Sequence, residues 1–214
     1  MIISTIKNYS PKSIQEIVYP NNEVKEMVLA YASGELEAPL LLHGTSGTGK
    51  SLIQRLLPNA IEKKEAHLQK VKCSDLKNAA DIHDLYGRNK MFNKNFTVND
   101  QRYNYITIEE FLMTKTAMSD AMKIELDDTL GTDLTILSTN RLDEVDRGIQ
   151  SRCEPLYVPP CTPQIFLPYA KKILDSLTMT YDENMLFAGL TQVYKAYADN
   201  RKYYQWLDRV IRAS

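Results

Sequence analysis

Eight consecutive residues near the start of the chain have the types and spacing of a phosphate-binding loop. They fit the pattern G-x-x-x-x-G-K-S/T at every fixed position, and they are Gly44, Thr45, Ser46, Gly47, Thr48, Gly49, Lys50 and Ser51. Glycines let successive backbone N–H groups turn toward phosphate oxygens, and a helix that begins here directs its positive end at the same anion. Lys50 would reach the β- and γ-phosphates, and the Ser51 hydroxyl would ligate Mg²⁺.

The residues on either side of this loop predict the elements that hold it. Residues 38–43 form a short apolar run, as expected for a buried parallel strand. Residues 51–57 then read as a helix that Pro58 stops. A strand before the loop and a helix after it are the context that the phosphate-binding pattern requires.

Two acidic residues follow another apolar run. Residues 105–108 are predicted to form a strand, and Glu109 and Glu110 come directly after it. Phosphoryl transfer demands positioning and charge neutralisation, so two acids at a strand end suit the task. We predict that Glu109 holds the hydration shell of Mg²⁺ and that Glu110 polarises the attacking water.

Two further polar residues allow two interpretations each. Asn140 follows an apolar strand predicted over residues 134–138. In one interpretation it orients the water or contacts the γ-phosphate, and in the other it caps the next turn. Arg152 lies in the segment Ile149-Gln150-Ser151-Arg152-Cys153. It is either an arginine finger supplied to a neighbouring subunit or a surface arginine in an ordinary salt bridge.

The order of predicted elements indicates an α/β fold with a parallel sheet between helices. One further strand is expected over residues 68–73, and residues 87–102 read as a polar loop. Helices are expected over 13–31, with a break at Pro20, and over 78–86 and 116–130. Four prolines between residues 155 and 163 indicate a linker. Three apolar stripes with helical spacing follow it. We therefore expect an ATPase core over residues 1–160 and a small helical lid over 161–214.

Composition places the chain among ordinary globular proteins. The 214 residues are 43% hydrophobic and 25% charged, with a formal net charge of -1. No apolar run approaches the length of a membrane span, and the N-terminus lacks the pattern of a secretion signal. The three cysteines show no metal-type spacing and fit reduced thiols, so we expect a cytoplasmic protein that does not engage a membrane.

Several short segments, in this order along the chain, resemble motifs of one family. Tyr9-Ser10-Pro11-Lys12 resembles its Tyr-Arg-Pro-Lys box, Lys72-Cys73-Ser74-Asp75 its Asn-Ala-Ser-Asp segment, Ser151-Arg152-Cys153 its Ser-Arg-Cys box, and Ala198-Asp199-Asn200-Arg201 its Gly-Asp-Met-Arg segment. Together with the phosphate loop and the acids, they resemble AAA+ ATPases of the clamp-loader group. This group comprises the small subunits of replication factor C and their archaeal and phage relatives.

The resemblance implies roles for individual residues. Tyr9 and Pro11 would lie near the adenine of ATP, and Asn140 falls on the sensor-1 position. Arg152 would act on ATP bound by the adjacent subunit, and Arg201 would contact the γ-phosphate from the helical lid. ATP and Mg²⁺ are the implied cofactors.

The sequence departs from the family at three places. Ser10 replaces an arginine and Glu109 replaces the usual aspartate, so contacts to adenine and Mg²⁺ would differ. The chain ends at Ser214, where family members continue into a helical collar. Without that collar, we expect core and lid contacts or partner proteins to hold the ring.

A group of cations follows the Ser74-Asp75 segment, where the family contacts DNA. Lys77, Arg88, Lys90 and Lys94 would meet phosphates, and Tyr86 and Phe92 would stack on bases, or else the segment is a solvated basic loop. Our interpretation is a clamp-loader-like ATPase, working as a homo- or hetero-oligomer on DNA or on a replication or recombination partner such as a sliding clamp. The alternatives are a protein-remodelling or transposition-targeting ATPase, and an ATP-gated scaffold with little hydrolysis.

Overall fold

The computed structural model describes residues 4–95, 101–113 and 115–213, and within 88–95 it describes the backbone alone. The described chain contains five strands: β1 (Leu40–His43), β2 (Leu68–Lys72), β3 (Asn104–Glu109), β4 (Asp133–Thr139) and β5 (Glu154–Tyr157). All pairings are parallel, and the order across the sheet is β2-β3-β4-β1-β5. The α/β class with a parallel sheet is thereby confirmed.

Helices connect and cover these strands. They are α1 (Thr5–Tyr9), α2 (Asn22–Ser33), α3 (Lys50–Glu62), α4 (Ala79–Asn95), α5 (Thr116–Asp128), α6 (Arg147–Gln150), α7 (Pro163–Ser176), α8 (Glu183–Tyr197) and α9 (Asn200–Ala213). Local sequence explains the bounds of α2: the Asn21 side chain accepts a hydrogen bond from the Val24 N–H, and Gly34 ends the helix in the left-handed conformation.

The sheet buries a hydrophobic core on each of its faces. Because side chains alternate along a strand, Leu41 packs with α4 and α5, whereas Leu40 and Leu42 pack with α2 and α3. Gln54 fixes α3 across the sheet, since its buried amide donates to the carbonyls of Ile108 (3.3 Å) and Ile136 (2.8 Å). The helix that follows the phosphate loop is therefore held against both β3 and β4.

Helices α7, α8 and α9 share a third core and confirm the three helical stripes. Phe166 of α7 stacks on Tyr203 of α9, with ring centroids 4.5 Å apart. The N-terminal helix α1 belongs to this group, because the buried Thr5 hydroxyl donates to the Tyr204 carbonyl and the Thr5 N–H donates to Asp208. The division at residue 160 remains a prediction.

Three secondary-structure predictions were wrong. Pro58 lies inside α3 and does not stop it, because Pro58 is buried and the following turn packs on the core, which offsets one lost hydrogen bond. Residues 87–95 continue α4 and are not a loop. Pro155 belongs to β5, an edge strand, where a residue without an N–H is tolerated.

The N-terminal prediction was right only in part. A 3-10 turn spans Ile14–Glu16, and the helix starts after Pro20, at Asn22. The predicted break at Pro20 is therefore the boundary between two separate elements.

Candidate active site

A cavity of about 390 Å³ lies where the phosphate loop, the carboxyl ends of the strands and α9 meet. Most of the residues singled out from the sequence line it: Pro11, Ser46, Gly47, Thr48, Gly49, Lys50, Ser51, Glu109, Glu110, Asn140 and Arg201. Parallel strands deliver their carboxyl ends to one edge of the sheet, which explains why residues so distant in sequence meet there.

The backbone of the phosphate loop needs glycine at two close approaches. Gly44 has φ +138°, and a Cβ there would lie 2.5 Å from the carbonyl oxygen of Val158. Gly47 has φ +80°, and a Cβ there would lie 1.9 Å from a carboxylate oxygen of Asp199. A larger residue would displace the backbone of Val158 at the first position and the Asp199 side chain at the second, and positive φ disfavours a side chain at both.

Lys50 is bound to the loop that it follows. Its Nζ donates to the carbonyls of Gly44 (2.7 Å) and Thr45 (2.6 Å), and the residue is only 8% exposed. Burial, and secondly the positive charge of Arg201, lower the pKa of Lys50 to about 8, while Asp199 opposes this shift. Lys50 therefore carries its charge at neutral pH and loses it as the pH rises through about 8.

The two acids at the end of β3 have different surroundings. Glu109 is mostly buried and pairs with Lys70 of β2 at 3.0 Å. Glu110 is exposed and has φ +54°, a left-handed conformation that costs a non-glycine residue on the order of 1–3 kcal/mol. The Phe111 N–H donates to the Ser138 carbonyl (2.7 Å), which holds this turn against the end of β4.

Asn140 occupies the position between the phosphate loop and the acids. Strand β4 lies between β1 and β3 in the sheet, so the residue after β4 stands between the loop after β1 and the acids at the end of β3. The following 3-10 turn, Leu142–Glu144, has Arg141 at its N-cap position, so the choice between a role at the site and a role as a cap stays a prediction for Asn140.

Arg201 reaches the loop from the helical part. Its Nη2 donates to the Ser46 hydroxyl (3.0 Å) and to Asp199 (2.7 Å). Asp199 lies against Gly47, and Asn200 contacts the loop backbone, yet the sequence analysis assigned neither residue to the site. The available signal was their position directly before Arg201, in the turn that opens α9.

Four predicted site residues are absent from the cavity wall: Gly44 and Thr45 begin the phosphate loop, whereas Tyr9 and Arg152 bond to other parts of the fold. The Tyr9 hydroxyl is 2.7 Å from the Ser176 hydroxyl, and the Tyr9 carbonyl accepts a hydrogen bond from Tyr169, so Tyr9 fastens α1 to the helical part. Arg152 pairs with Asp127, its Nε lying 2.9 Å from both carboxylate oxygens, and its Nη1 donates to the Gly148 carbonyl (2.8 Å). Arg152 therefore does not reach the site of its own chain.

The cavity suits a nucleoside triphosphate with Mg²⁺. Its apolar wall includes Ile6, Ile17, Val18, Phe166 and Tyr204, which can cover a planar base, while the loop supplies N–H donors for phosphates. Mg²⁺ usually takes one or two carboxylates together with substrate phosphates, and the Ser51 hydroxyl and Glu109 carboxylate offer oxygen ligands. The described residues contain no group of three or more His, Cys, Asp or Glu side chains able to hold a metal, so phosphate oxygens would have to complete this site.

The predicted base-stacking role of Tyr86 was wrong. Tyr86 is fully buried, and its hydroxyl lies 3.0 Å from that of Thr135, because the helix predicted over 78–86 packs this side of its surface on the core. Lys77 is exposed. The side chains of Arg88, Lys90, Phe92 and Lys94 lie outside the described part of the structure.

The cysteines are buried free thiols, namely Cys73, Cys153 and Cys161. Burial raises the pKa of the Cys153 and Cys161 thiols to about 12, so neither forms a reactive thiolate at neutral pH. Over the described residues, no helix has the length and apolar character needed to cross a membrane.

The fold matches that of a solved motor protein. The Thermotoga maritima RuvB Holliday junction branch migration motor superposes with a TM-score of 0.72 at 15% identity, and the match covers 94% of this chain and 65% of that chain. Two single-residue variants of RuvB give TM-scores of 0.73 and 0.70 at 15% and 16% identity, covering 94% and 96% of this chain and 65% and 66% of theirs. The chain thus spans slightly less than two thirds of the length of these proteins.

A sequence comparison gives a second, shorter similarity. The family described as Sigma-54 interaction domain matches residues 18–99, which is less than half of the chain and includes the phosphate loop. No curated protein matches the sequence. The chain has the P-loop AAA+ fold, a parallel five-stranded sheet between helices followed by a helical part. Neither similarity is to a clamp loader, so that narrower resemblance remains a prediction.

Proposed function

We propose that the protein binds ATP with Mg²⁺ in this cavity and hydrolyses it. The observation that carries the proposal is the convergence of Lys50, Glu110, Asn140 and Arg201 on one cavity beside a complete phosphate loop. Bound ATP supplies a terminal phosphoryl group that is open to attack by water. Every other requirement of the reaction is positioning and charge neutralisation, which are properties of the protein.

Each side chain has a role that its placement permits. Lys50 neutralises phosphate charge, and Ser51 and Glu109 would hold Mg²⁺, with Lys70 fixing one oxygen of the Glu109 carboxylate. Glu110 is an exposed carboxylate at the cavity and would accept the proton of the attacking water. Asn140 would orient that water, and Arg201 would contact the terminal phosphate from the helical part.

Arg152 is proposed to act on the site of a neighbouring subunit. It is absent from the wall of its own cavity, and the pair with Asp127 holds the guanidinium on the outer surface of α5 and α6. A cation at an exposed edge can stabilise transition-state charge in an adjacent site. This role requires an oligomer, with either identical or different subunits.

We propose that hydrolysis serves work on DNA in replication or recombination. The motif order that resembles clamp loaders supports this assignment, and so does the fold shared with RuvB, which is a branch migration motor. The match to a Sigma-54 interaction domain favours the second candidate, remodelling of a protein partner. One fold can serve either work on DNA or remodelling of a protein, so the substrate that the ATPase acts on distinguishes the two candidates.

Steady-state ATP turnover over a range of protein concentrations, with and without primer-template DNA, tests these assignments. Turnover per subunit should rise with protein concentration, because Arg152 works across an interface, and should rise again when DNA is added. Turnover that depends on concentration but not on DNA would favour the protein-remodelling candidate. Concentration-dependent assembly with ATP bound but little turnover would instead identify an ATP-gated scaffold.

A further inference from the structure

The first residue of α9, Asn200, is bonded to two parts of the molecule at once. Its backbone N–H donates to the Gly47 carbonyl (3.1 Å), and its side-chain amide donates to the Thr48 carbonyl (3.2 Å). Its side-chain oxygen accepts from the backbone N–H of Cys161 (2.9 Å), in the connection that leads from β5 to α7. The side chain thus uses both its donor and its acceptor capacity on backbone groups.

The contacts to the phosphate loop have a geometric consequence. In a trans peptide the C=O and N–H bonds point in opposite directions. Two hydrogen bonds hold the carbonyls of Gly47 and Thr48 toward Asn200. The N–H groups of the same two peptides, which belong to Thr48 and Gly49, therefore point to the other side of the loop. Backbone N–H groups fixed in one direction are what an anion-binding loop requires.

The contact to Cys161 ties the same residue to the helical part. The Tyr203 hydroxyl, one turn further along α9, donates to the Cys161 carbonyl (2.9 Å), so both polar groups of this peptide segment are held by α9. Asp199 and Arg201 on either side of Asn200 are charged, and their pairing will respond to phosphate charge. Asn200 is neutral and bonds to backbone groups, so its contacts do not depend on the charge of a ligand.

We infer that Asn200 is a positioning residue that presets the phosphate-loop peptides and fixes the orientation of the helical part relative to that loop. Its effect on nucleotide affinity rests on the proposed function, whereas its effect on orientation does not. Asn200→Ala removes the two side-chain bonds to Cys161 and Thr48 and a longer one, from the side-chain amide to the Cys161 Sγ (3.5 Å). Asn200→Asp keeps an acceptor for the Cys161 N–H but places a carboxylate against the Thr48 carbonyl. Comparison of the two variants therefore distinguishes the contact to Cys161 from the contact to the phosphate loop.

The test measures the distance between two spin labels, one on Lys25→Cys of α2 and one on Met185→Cys of α8. Both positions are exposed, whereas the native cysteines are buried. Without nucleotide, Asn200→Ala should broaden this distance distribution. Asn78→Ala is the matched control, because it also removes an asparagine that bonds the backbone, at the start of α4 and away from the cavity. Asn78→Ala should leave the distribution unchanged.

Affinity for a fluorescent ATP analogue is measured on the same proteins. Loss of the side-chain bonds should weaken the affinity about tenfold in Asn200→Ala, and more in Asn200→Asp, where a negative charge joins the loop. A distance distribution in Asn200→Ala that equals that of the parent and of Asn78→Ala would overturn the inference. If the parent protein does not bind the analogue, the proposed function fails, while the distance measurement still decides the role of Asn200.

Discussion

The guanidinium of Arg201 donates to the hydroxyl of Ser46 at 3.0 Å, so the last helix of the chain contacts the phosphate loop directly across a separation of 155 residues. Asp199 completes this contact by accepting from Arg201 while lying against Gly47. The helical part therefore forms one wall of the cavity, and a change at Arg201 should affect the proposed chemistry more than folding.

Arg201→Ala should lower the turnover number more than it weakens ATP binding. The guanidinium is proposed to contact the terminal phosphate, where charge changes during the reaction. We expect turnover to fall about a hundredfold, as for removal of one donor to developing charge. Lys202→Ala is the control, because Lys202 lies on the same helix as Arg201 but contacts Gln205 of α9 and Tyr197 of α8. Equal losses in the two variants would exclude a specific role for Arg201.

Nucleotide affinity should depend on pH through Lys50. Its pKa in the free protein is about 8, so the fraction of charged Lys50 falls about tenfold between pH 7 and pH 9. Because the anion binds the charged form, affinity should fall over the same interval, and binding above pH 8 should take up a proton. Calorimetry in two buffers of different ionisation enthalpy measures both effects. In Lys50→Arg the guanidinium stays charged, so any residual affinity should be independent of pH in this range.

Arg152→Ala should retain ATP binding and lose turnover by about a thousandfold, the lower range for an arginine finger. Arg147→Ala is a suitable control, since Arg147 is an exposed arginine on the same short helix that precedes Arg152. Mixing Arg152→Ala with Lys50→Ala subunits should restore some turnover, because mixed interfaces then combine an intact site with an intact finger. Normal turnover in Arg152→Ala alone would remove the trans role.

Ala198→Gly should stabilise the protein. Ala198 ends α8 with φ +46°, a left-handed conformation that costs a residue with a Cβ about 1 kcal/mol and costs glycine nothing comparable. We expect the thermal midpoint to rise by about 2–4 °C. Ala188→Gly, at an exposed position in the interior of the same helix, should lower the midpoint, because glycine in a helix interior costs about 1 kcal/mol. A fall in both variants would show that Ala198 is not strained.

The sequence was sufficient to predict the parallel α/β fold, the loop and strand that begin the site, and the helical part, because each depends on local pattern. Tyr86 was misassigned because its burial depends on which side of α4 packs on the sheet, a tertiary contact that the helix pattern alone does not specify. The ion pair between Arg152 and Asp127 joins residues 25 positions apart and has no local signal. The contacts of Asn200 are likewise invisible in sequence, because they are made to backbone groups that any residue carries.

The central claim is that this cavity hydrolyses ATP with Glu110 as the acceptor of the water proton. The most direct measurement compares phosphate release and ATP-analogue binding in the parent protein and in Glu110→Gln, at a protein concentration where turnover is maximal. We predict unchanged binding together with a loss of turnover of at least about a hundredfold, the range for removal of a general base. Phosphate release by Glu110→Gln at the parent rate, or no binding by either protein, would contradict the account.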